Sequence, residues 1–484
     1  MPARSVSAHS VATLLRAAPP GHVAEPGRPA YRSLAEGLRR LINDGRVMRG
    51  MRLPSERELT RALGLSRTTV ARAYSVLRDE GSIVTRRGAG SVASLPGDAS
   101  RTLARPPHLT ADAHVLDLTF AALPAAPGCT EAFERALRAL PRHLATSGYH
   151  PLGLPETREA IADWYATRGL PTRPDQVVVT CGAHAAFSTI LRARLDPGDR
   201  VLLESPTYPN AINAVRRSQL RPVGLPMLST GWDVGALKAA VRQTSPALAY
   251  FVPEFHNPTG LRMDEPTRES VARVLTHSRT PVVVDETFVD LALDGSTPPR
   301  PFAVFAPDAL TIGGVSKSFW GGLRVGWLRA PSATDVAGLV EARHSLDLGT
   351  PVIDQLAVVE LLRGSTQDLG VRRAMLVQQR DALVSALRER LPQWRFRVPD
   401  GGVNLWCELP VPRASAVVRA AERHGVWLSG AGQFGVDGGF ESYVRIPYIL
   451  PPDELGEAVS RLERAWSEAL VGPSGPEAPR SLIA

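Results

Sequence analysis

Lysine is almost absent from this 484-residue chain: of 56 Lys plus Arg, only Lys238 and Lys317 are lysine, and the other 54 are arginine. Cysteine is scarce too. Cys129, Cys181 and Cys407 lie far apart, which excludes a disulfide scaffold and offers no paired spacing for zinc. No run approaches about eighteen uninterrupted apolar residues, which argues against a membrane span. Met1 to Pro20 lacks the apolar core of a signal peptide, so a cytoplasmic location is expected. At 44% hydrophobic and 21% charged, the chain is too apolar for an acidic disordered protein, and its length suits about three domains.

The two lysines matter because arginine, permanently protonated, cannot form an imine. Any lysine chemistry must therefore use Lys238 or Lys317. Lys238 falls in a helical surface pattern, DVGALKAAVRQ, and reads as solvated. Charge is unevenly spread as well. Residues 1–110 hold 18 Arg against 8 Asp plus Glu, or +10, while the whole chain is +8. A basic head on a nearly neutral body points to a polyanionic partner for the head.

Within that head, Leu34, Leu38, Leu41 and Ile42 recur at helical spacing and stop at Gly45. Ser55 with Glu58 forms a capping box for a second helix ending near Leu63-Gly64. Ser66 then caps a third helix, Arg67 to Arg78, and residues 83–92 read as a hairpin with a basic, glycine-bearing tip. Three helices and a basic hairpin make a winged helix-turn-helix, whose third helix can enter the major groove while the wing meets the backbone or minor groove. The segment resembles the GntR-type DNA-binding domain, carrying its Leu-Pro-Ser turn (Leu53 to Leu59), its Ser-Arg-x-Thr-Val start (Ser66 to Val70) and its Arg-Gly-x-Gly wing (Arg87 to Gly90). The expected DNA contacts are Arg57, Arg67, Thr68, Thr69 and Arg72, with Arg86, Arg87 and Gly88 in the wing. The domain is placed at 25–93, followed by a Pro- and Arg-rich linker at 94–116 and, far downstream, a tail at 471–484.

Residues 117–470 alternate helical patterns with short β-branched runs ending near Thr180, Glu204, Pro253, Asp285 and Gly314. Apolar strands between helices predict a mostly parallel sheet with ligand-binding residues beyond the strand C-termini. Read in order, those ends supply Gly182-Ala183-His184 opening a helix, Tyr208, Asn257 in Asn-Pro-Thr-Gly, Asp285, and Ser316-Lys317 followed by Arg324. Arg445 lies in a later strand. Together they suit pyridoxal 5'-phosphate: an amine for the imine, a carboxylate for the pyridine nitrogen, an aromatic face, an amide for the ring oxygen, and amides plus arginine for the phosphate.

The body resembles fold-type I aminotransferases, with a large domain at about 150–345 and a small domain from the flanking segments. With its GntR-like head, the whole chain resembles the MocR/GabR regulators. That resemblance implies an α/β aminotransferase-like body that senses the cofactor or an amino compound for the head. It also implies a homodimer, an operator DNA partner, an internal aldimine on Lys317, phosphate contact by Arg324, a pyridinium partner in Asp285, and a carboxylate clamp in Arg445. Tyr149 would match a tyrosine reaching the neighbouring subunit's phosphate, although its spacing to Gly153 is one residue shorter than the family's. Three departures stand out: Phe288 replaces the usual tyrosine, Gly314 a Ser or Thr, and His184 a Gln. They predict a raised aldimine pKa and poor turnover. The alternative is a working aminotransferase with an accessory DNA-binding head.

Overall fold

Two side-chain caps organise the head. Glu58 N–H donates to Ser55 Oγ at 3.3 Å while Glu58 Oε2 accepts from Ser55 N–H at 2.8 Å, opening the helix Glu56–Leu63. Thr69 N–H donates to Ser66 Oγ at 3.1 Å, opening the helix Arg67–Asp79. Such caps satisfy N–H groups that the first helical turn leaves unpaired. The computed structural model describes residues 5–16, 29–43, 47, 51–86, 90–94, 115–295, 297 and 299–471.

The helix Ala30–Asn43 presents Leu34, Leu38 and Ile42 to Leu59, Val70 and Leu77 of the two capped helices, forming one small core. Tyr74 donates from its buried hydroxyl to the Pro54 carbonyl at 2.7 Å, tying the third helix to the turn before the second. The strands Ile83–Arg86 and Gly90–Ala93 pair antiparallel, with Arg86 opposite Gly90. A further helix, Ala8–Arg16, buries Val11, Ala12 and Leu15 in the same core. The sequence alone predicts no helix there, because nine residues carry too little periodicity to stand out.

The body is built on an eight-stranded sheet among the described residues. Its order in space is Val177–Thr180, Gly326–Arg329, Leu310–Gly314, Val282–Asp285, Leu248–Phe251, Arg200–Ser205, Arg221–Leu228 and Gly231–Trp232. The strand Gly326–Arg329 runs antiparallel to both neighbours, and the short Gly231–Trp232 closes the far edge antiparallel. The other strands are parallel. The five strands expected from the sequence are there, with ends shifted by one or two residues. The antiparallel strand and the edge pair were not anticipated, because Gly326–Arg329 follows the Lys317 turn without the helix that announces the others. Apolar clusters cover the sheet on both faces.

A smaller unit pairs Asn404–Glu408 with Tyr443–Pro447 antiparallel and Val426–Leu428 with Leu116–Leu118 parallel. The helix Val352–Arg390 joins the two units. Leu356, Val358 and Leu361 pack in the large unit's core, and Leu376, Leu383 and Leu387 in the small unit's. At 39 residues it spans about 58 Å. Of the segment read as a linker, only residues 94, 115 and 116 are described, and of the tail only Val471.

Candidate cofactor cleft and nucleic-acid face

The sheet's topology makes the cleft. The chain passes from Val177–Thr180 at one edge to Arg200–Ser205 on the far side of the sheet, leaving a crevice beyond the strand C-termini. Lys317 enters it two residues after Val315, on the turn following Leu310–Gly314. Its Nζ donates to the Ala121 carbonyl at 2.8 Å and lies 5.9 Å from the Phe288 ring centre. Burial, and then the positive charge of Arg445, lower the amine's pKa to about 8, against a partial counter-effect from Asp285.

Asp285 ends its strand almost buried. One oxygen accepts from the Tyr250 hydroxyl at 2.7 Å, and the other from Thr287 N–H at 2.9 Å and from the Thr287 hydroxyl. Burial raises its pKa while the Thr287 and Tyr250 hydrogen bonds pull it back. A cation against this carboxylate would favour its ionised form and oppose the effect of burial, a suitable setting for a protonated ring nitrogen. Tyr250 was not singled out from the sequence. It lies inside an apolar run, and only pairing of Leu248–Phe251 with Val282–Asp285 brings it to Asp285.

Gly182 has φ +97°, a conformation that favours glycine, and a Cβ there would meet Arg324 Nη2 at 3.0 Å. Arg324 Nη2 in turn donates to the Cys181 carbonyl at 2.9 Å. Gly326 is required for a second reason: its Cβ would fall 2.5 Å from Ala183 N. The two glycines let the start of the helix Ala183–Arg194, the arginine and the lysine turn approach closely. The N–H groups of the helix's first turn and the Arg324 guanidinium are thus brought together, a donor set that suits an anion. His184 packs edge-on to Tyr208, with ring centres 6.3 Å apart. Tyr208 is pushed up to about 12 by burial, and its hydroxyl accepts from Asn210 Nδ2 at 2.9 Å. Asn257 is buried, with its Oδ1 3.5 Å from Asn404 Nδ2. Ser316 is half-buried beside Lys317.

Arg445 is fully buried in the small unit. Its Nη2 donates to the Thr119 carbonyl and, at 3.3 Å, to Ser429 Oγ, while its Cζ sits 5.2 Å from the Phe434 ring centre. Its Nε and Nη1 have no hydrogen-bond partner. Burial lowers its pKa, partly opposed by Tyr208 and Asp117. The two unused donors of this buried guanidinium suit an anion, and a carboxylate fits their fork. Thr119, Ser429 and Phe434 carry no motif that would have marked them in the sequence. The donor set therefore fits pyridoxal 5'-phosphate with an amino-acid carboxylate beside it: amine, carboxylate, amide, aromatic face, anion-binding donors and a half-unpaired guanidinium. Tyr149 is 66% exposed. Lys238 is exposed on the helix Val234–Thr244.

On the head, Arg57, Arg67, Thr68 and Arg72 are exposed. The Arg72 guanidinium lies 4.3 Å from the Tyr31 ring centre, which orients it. Thr69 is half-buried, its hydroxyl 2.8 Å from Ser66 Oγ, so part of its polarity serves the cap. Arg86 ends the first wing strand; Arg87 and Gly88 lie outside the described residues. Arg52, which precedes the Leu-Pro-Ser turn and carries no motif of its own, is exposed with its guanidinium against Gly90 at the wing.

The geometry defines a DNA-binding head on a pyridoxal-phosphate-dependent aminotransferase fold. Residues 119–462 match the family of class I and II aminotransferases, and residues 30–92 match the gntR family of bacterial regulatory proteins. The chain belongs to the class I and II aminotransferase family and carries a gntR-type head, an architecture of the MocR kind. It is 32% identical over 329 residues to a 2-aminoadipate transaminase of Thermus thermophilus, covering 66% of this chain and 80% of that one. It is 26% identical over 468 residues to YdcR of Escherichia coli, named as an HTH-type transcriptional regulator, covering 91% and 99%. Among solved structures it resembles the α-aminoadipate aminotransferase LysN of Thermus thermophilus, complexed with N-(5'-phosphopyridoxyl)-L-leucine. That match has a TM-score of 0.68 at 30% identity, covering 74% of this chain and 93% of that one. The cofactor of the fold is pyridoxal 5'-phosphate. Among the described residues no helix is long and apolar enough to cross a membrane, and no cluster of potential metal ligands occurs.

Proposed function

We propose that the protein is a transcriptional regulator whose grip on operator DNA responds to pyridoxal 5'-phosphate, to an amino compound, or to both. The observation that carries this reading is the coexistence in one chain of a capped, arginine-bearing recognition helix and a cleft in which Lys317 lies within electrostatic reach of a half-unpaired Arg445. Bound there, the cofactor supplies an aldehyde for exchange between amines and an electron-withdrawing ring. In this reading Lys317 holds the cofactor covalently and Asp285 pairs with its ring nitrogen. Asn257 meets the ring oxygen and Tyr208 stacks on the ring. Gly182, Ala183, His184, Ser316 and Arg324 hold the phosphate, and Arg445 clamps the ligand's carboxylate. Arg57, Arg67, Thr68, Thr69, Arg72 and the wing residues Arg86, Arg87 and Gly88 meet DNA, and so does Arg52, whose exposed position beside Gly90 supports that role.

A homodimer belongs to the same proposal. Tyr149, Leu144, Leu346 and Leu348 are each at least 45% exposed, and the backbones of His150 and Gly349 abut. Exposed apolar side chains gathered on adjoining segments mark an interaction surface. Two heads would then read a repeated half-site.

The test is binding of the full chain to promoter DNA, measured by fluorescence anisotropy, with cofactor alone and with cofactor plus a panel of amino acids. DNA affinity that shifts with ligand in wild type but not in Lys317→Ala supports the reading; affinity indifferent to every addition overturns it. The 32% identity to a transaminase favours a second reading, an enzyme with an accessory head. Conversion of bound cofactor by an amino acid, with recovery on adding a keto acid at about 1 per second or faster, would establish turnover.

A further inference from the structure

A second concavity lies where the large unit meets the small one. It has a volume of about 250 Å³, and neither Lys317 nor Arg445 lines it. Met227, Leu228 and Thr259 form its large-unit wall, and Trp406, Phe440 and Tyr443 face them from the small unit. Trp406 and Tyr443 are stacked nearly parallel, with ring centres 5.1 Å apart and 2° between planes. Phe440 and Phe434 meet Trp406 edge-on at 6.0 and 5.6 Å. The wall is therefore flat and braced, fit to receive another flat ring.

The same wall carries charge. Arg395 and Arg397 line the cavity, two residues apart and exposed, and among the described residues neither has an ion-pair partner. The backbones of Arg395 and Glu408 pair antiparallel, so Glu408, which also lines the cavity, is the cross-strand neighbour of Arg395, and Glu408 lies opposite Tyr443 in the strand pair. Two arginines against one carboxylate leave an excess positive charge next to an aromatic floor. A cavity this size takes one small molecule rather than a chain segment. A ring for Trp406 and an anion for Arg395 and Arg397 describe a small aromatic carboxylate.

We propose that this inter-unit cavity is a second ligand site, separate from the Lys317 cleft, for a small aromatic carboxylate. The ring lies on Trp406 among Tyr443 and Phe440, and the carboxylate meets Arg395 and Arg397. The site communicates with the cleft through Phe434. That ring touches Trp406 on one side and the Arg445 guanidinium on the other, and its carbonyl accepts from Thr207 N–H of the large unit at 2.8 Å.

The experiment is titration calorimetry of the cofactor-loaded full chain with indole-3-acetate, with tryptamine as the charge-reversed control. Saturable binding tighter than about 1 mM is expected for indole-3-acetate, and at least tenfold weaker binding for tryptamine. The double variant Arg395→Gln, Arg397→Gln, altered only at exposed side chains, should weaken indole-3-acetate at least tenfold, and Trp406→Ala should do the same. Lys317→Ala should leave it within about twofold. No saturation up to about 10 mM would overturn the proposal, as would equal affinity for tryptamine. Loss of binding in Lys317→Ala would overturn it differently, by placing the ligand in the cofactor cleft.

Discussion

Lys317 Nζ donates at 2.8 Å to the carbonyl of Ala121, a residue 196 positions earlier in the chain. The bond joins the lysine turn of the large unit to the segment that leads into it from Leu116–Leu118 of the small one. Arg445 is attached to the same segment through the Thr119 carbonyl. The amine and the guanidinium are thus positioned by carbonyls two residues apart, and any rearrangement of residues 119–121 moves both.

Replacing Lys317 with Ala should abolish the visible band of the lysine-bound cofactor, since no other lysine reaches the cleft. Far-ultraviolet circular dichroism should be unchanged. A variant that stays yellow after dialysis would show that the covalent link lies elsewhere.

An amine with a pKa near 8 should take up pyridoxal 5'-phosphate at a rate that rises with pH and levels off just above 8. An ordinary lysine would still be rising at pH 10. The same shift has a stability consequence. Below about pH 8 the buried amine is protonated in both folded and unfolded states, and its burial cost is fully present. Between 8 and the unfolded value near 10.4 the unfolded chain binds the extra proton, so stability rises with pH. The difference in thermal midpoint between the cofactor-free wild type and Lys317→Met should narrow across that window.

Arg445→Lys should weaken binding of α-amino acids about 30-fold or more, about 2 kcal/mol, while leaving cofactor uptake nearly intact. A lysine ammonium cannot supply the two parallel donors of Nε and Nη1. Spectral titration with amino acids reads both quantities. Equal losses for an amino acid and for its decarboxylated amine would remove the carboxylate role.

Phe288→Tyr should lower the pH midpoint of the cofactor's visible transition by about one unit. A hydroxyl beside Lys317 can donate to the cofactor's ring oxygen and favour its ionised form. A midpoint that stays in place would show that the phenylalanine is not what sets it.

Arg67→Ala should weaken operator binding and reduce the slope of log K against log salt by about one if the side chain meets a phosphate. If it meets a base, discrimination between operator and mutated operator should fall while the slope holds. Unchanged affinity would remove Arg67 from the interface. Ser55→Ala acts differently, costing the head about 1 kcal/mol through loss of the cap, seen as a lower unfolding midpoint.

Much of the cleft was legible because its residues obey local rules. Asp285, Lys317 and the Gly182 turn each follow an apolar run at a strand's end, and chain order on a parallel sheet carries them to one edge. Both caps in the head were legible for the same reason: Ser55 and Ser66 act on N–H groups three residues away. What escaped was the company these residues keep. Tyr250 sits in an apolar strand, and only lateral pairing of two strands puts its hydroxyl on Asp285. Ser429 and Phe434 from one stretch and the Thr119 carbonyl from another, far distant in the chain, enclose Arg445.

By itself, then, the sequence determined the two-part architecture, the lysine available for covalent chemistry and the caps that start the head's helices. Those follow from composition, from periodicity and from hydrogen bonds spanning a few residues. The tertiary structure decided how far burial lowers the pKa of Lys317, which donors of Arg445 are left unpaired, and that an aromatic, arginine-edged cavity exists between the two units. Those depend on burial and on contacts between segments far apart in the chain, which acquire their values only when packing removes water from around them.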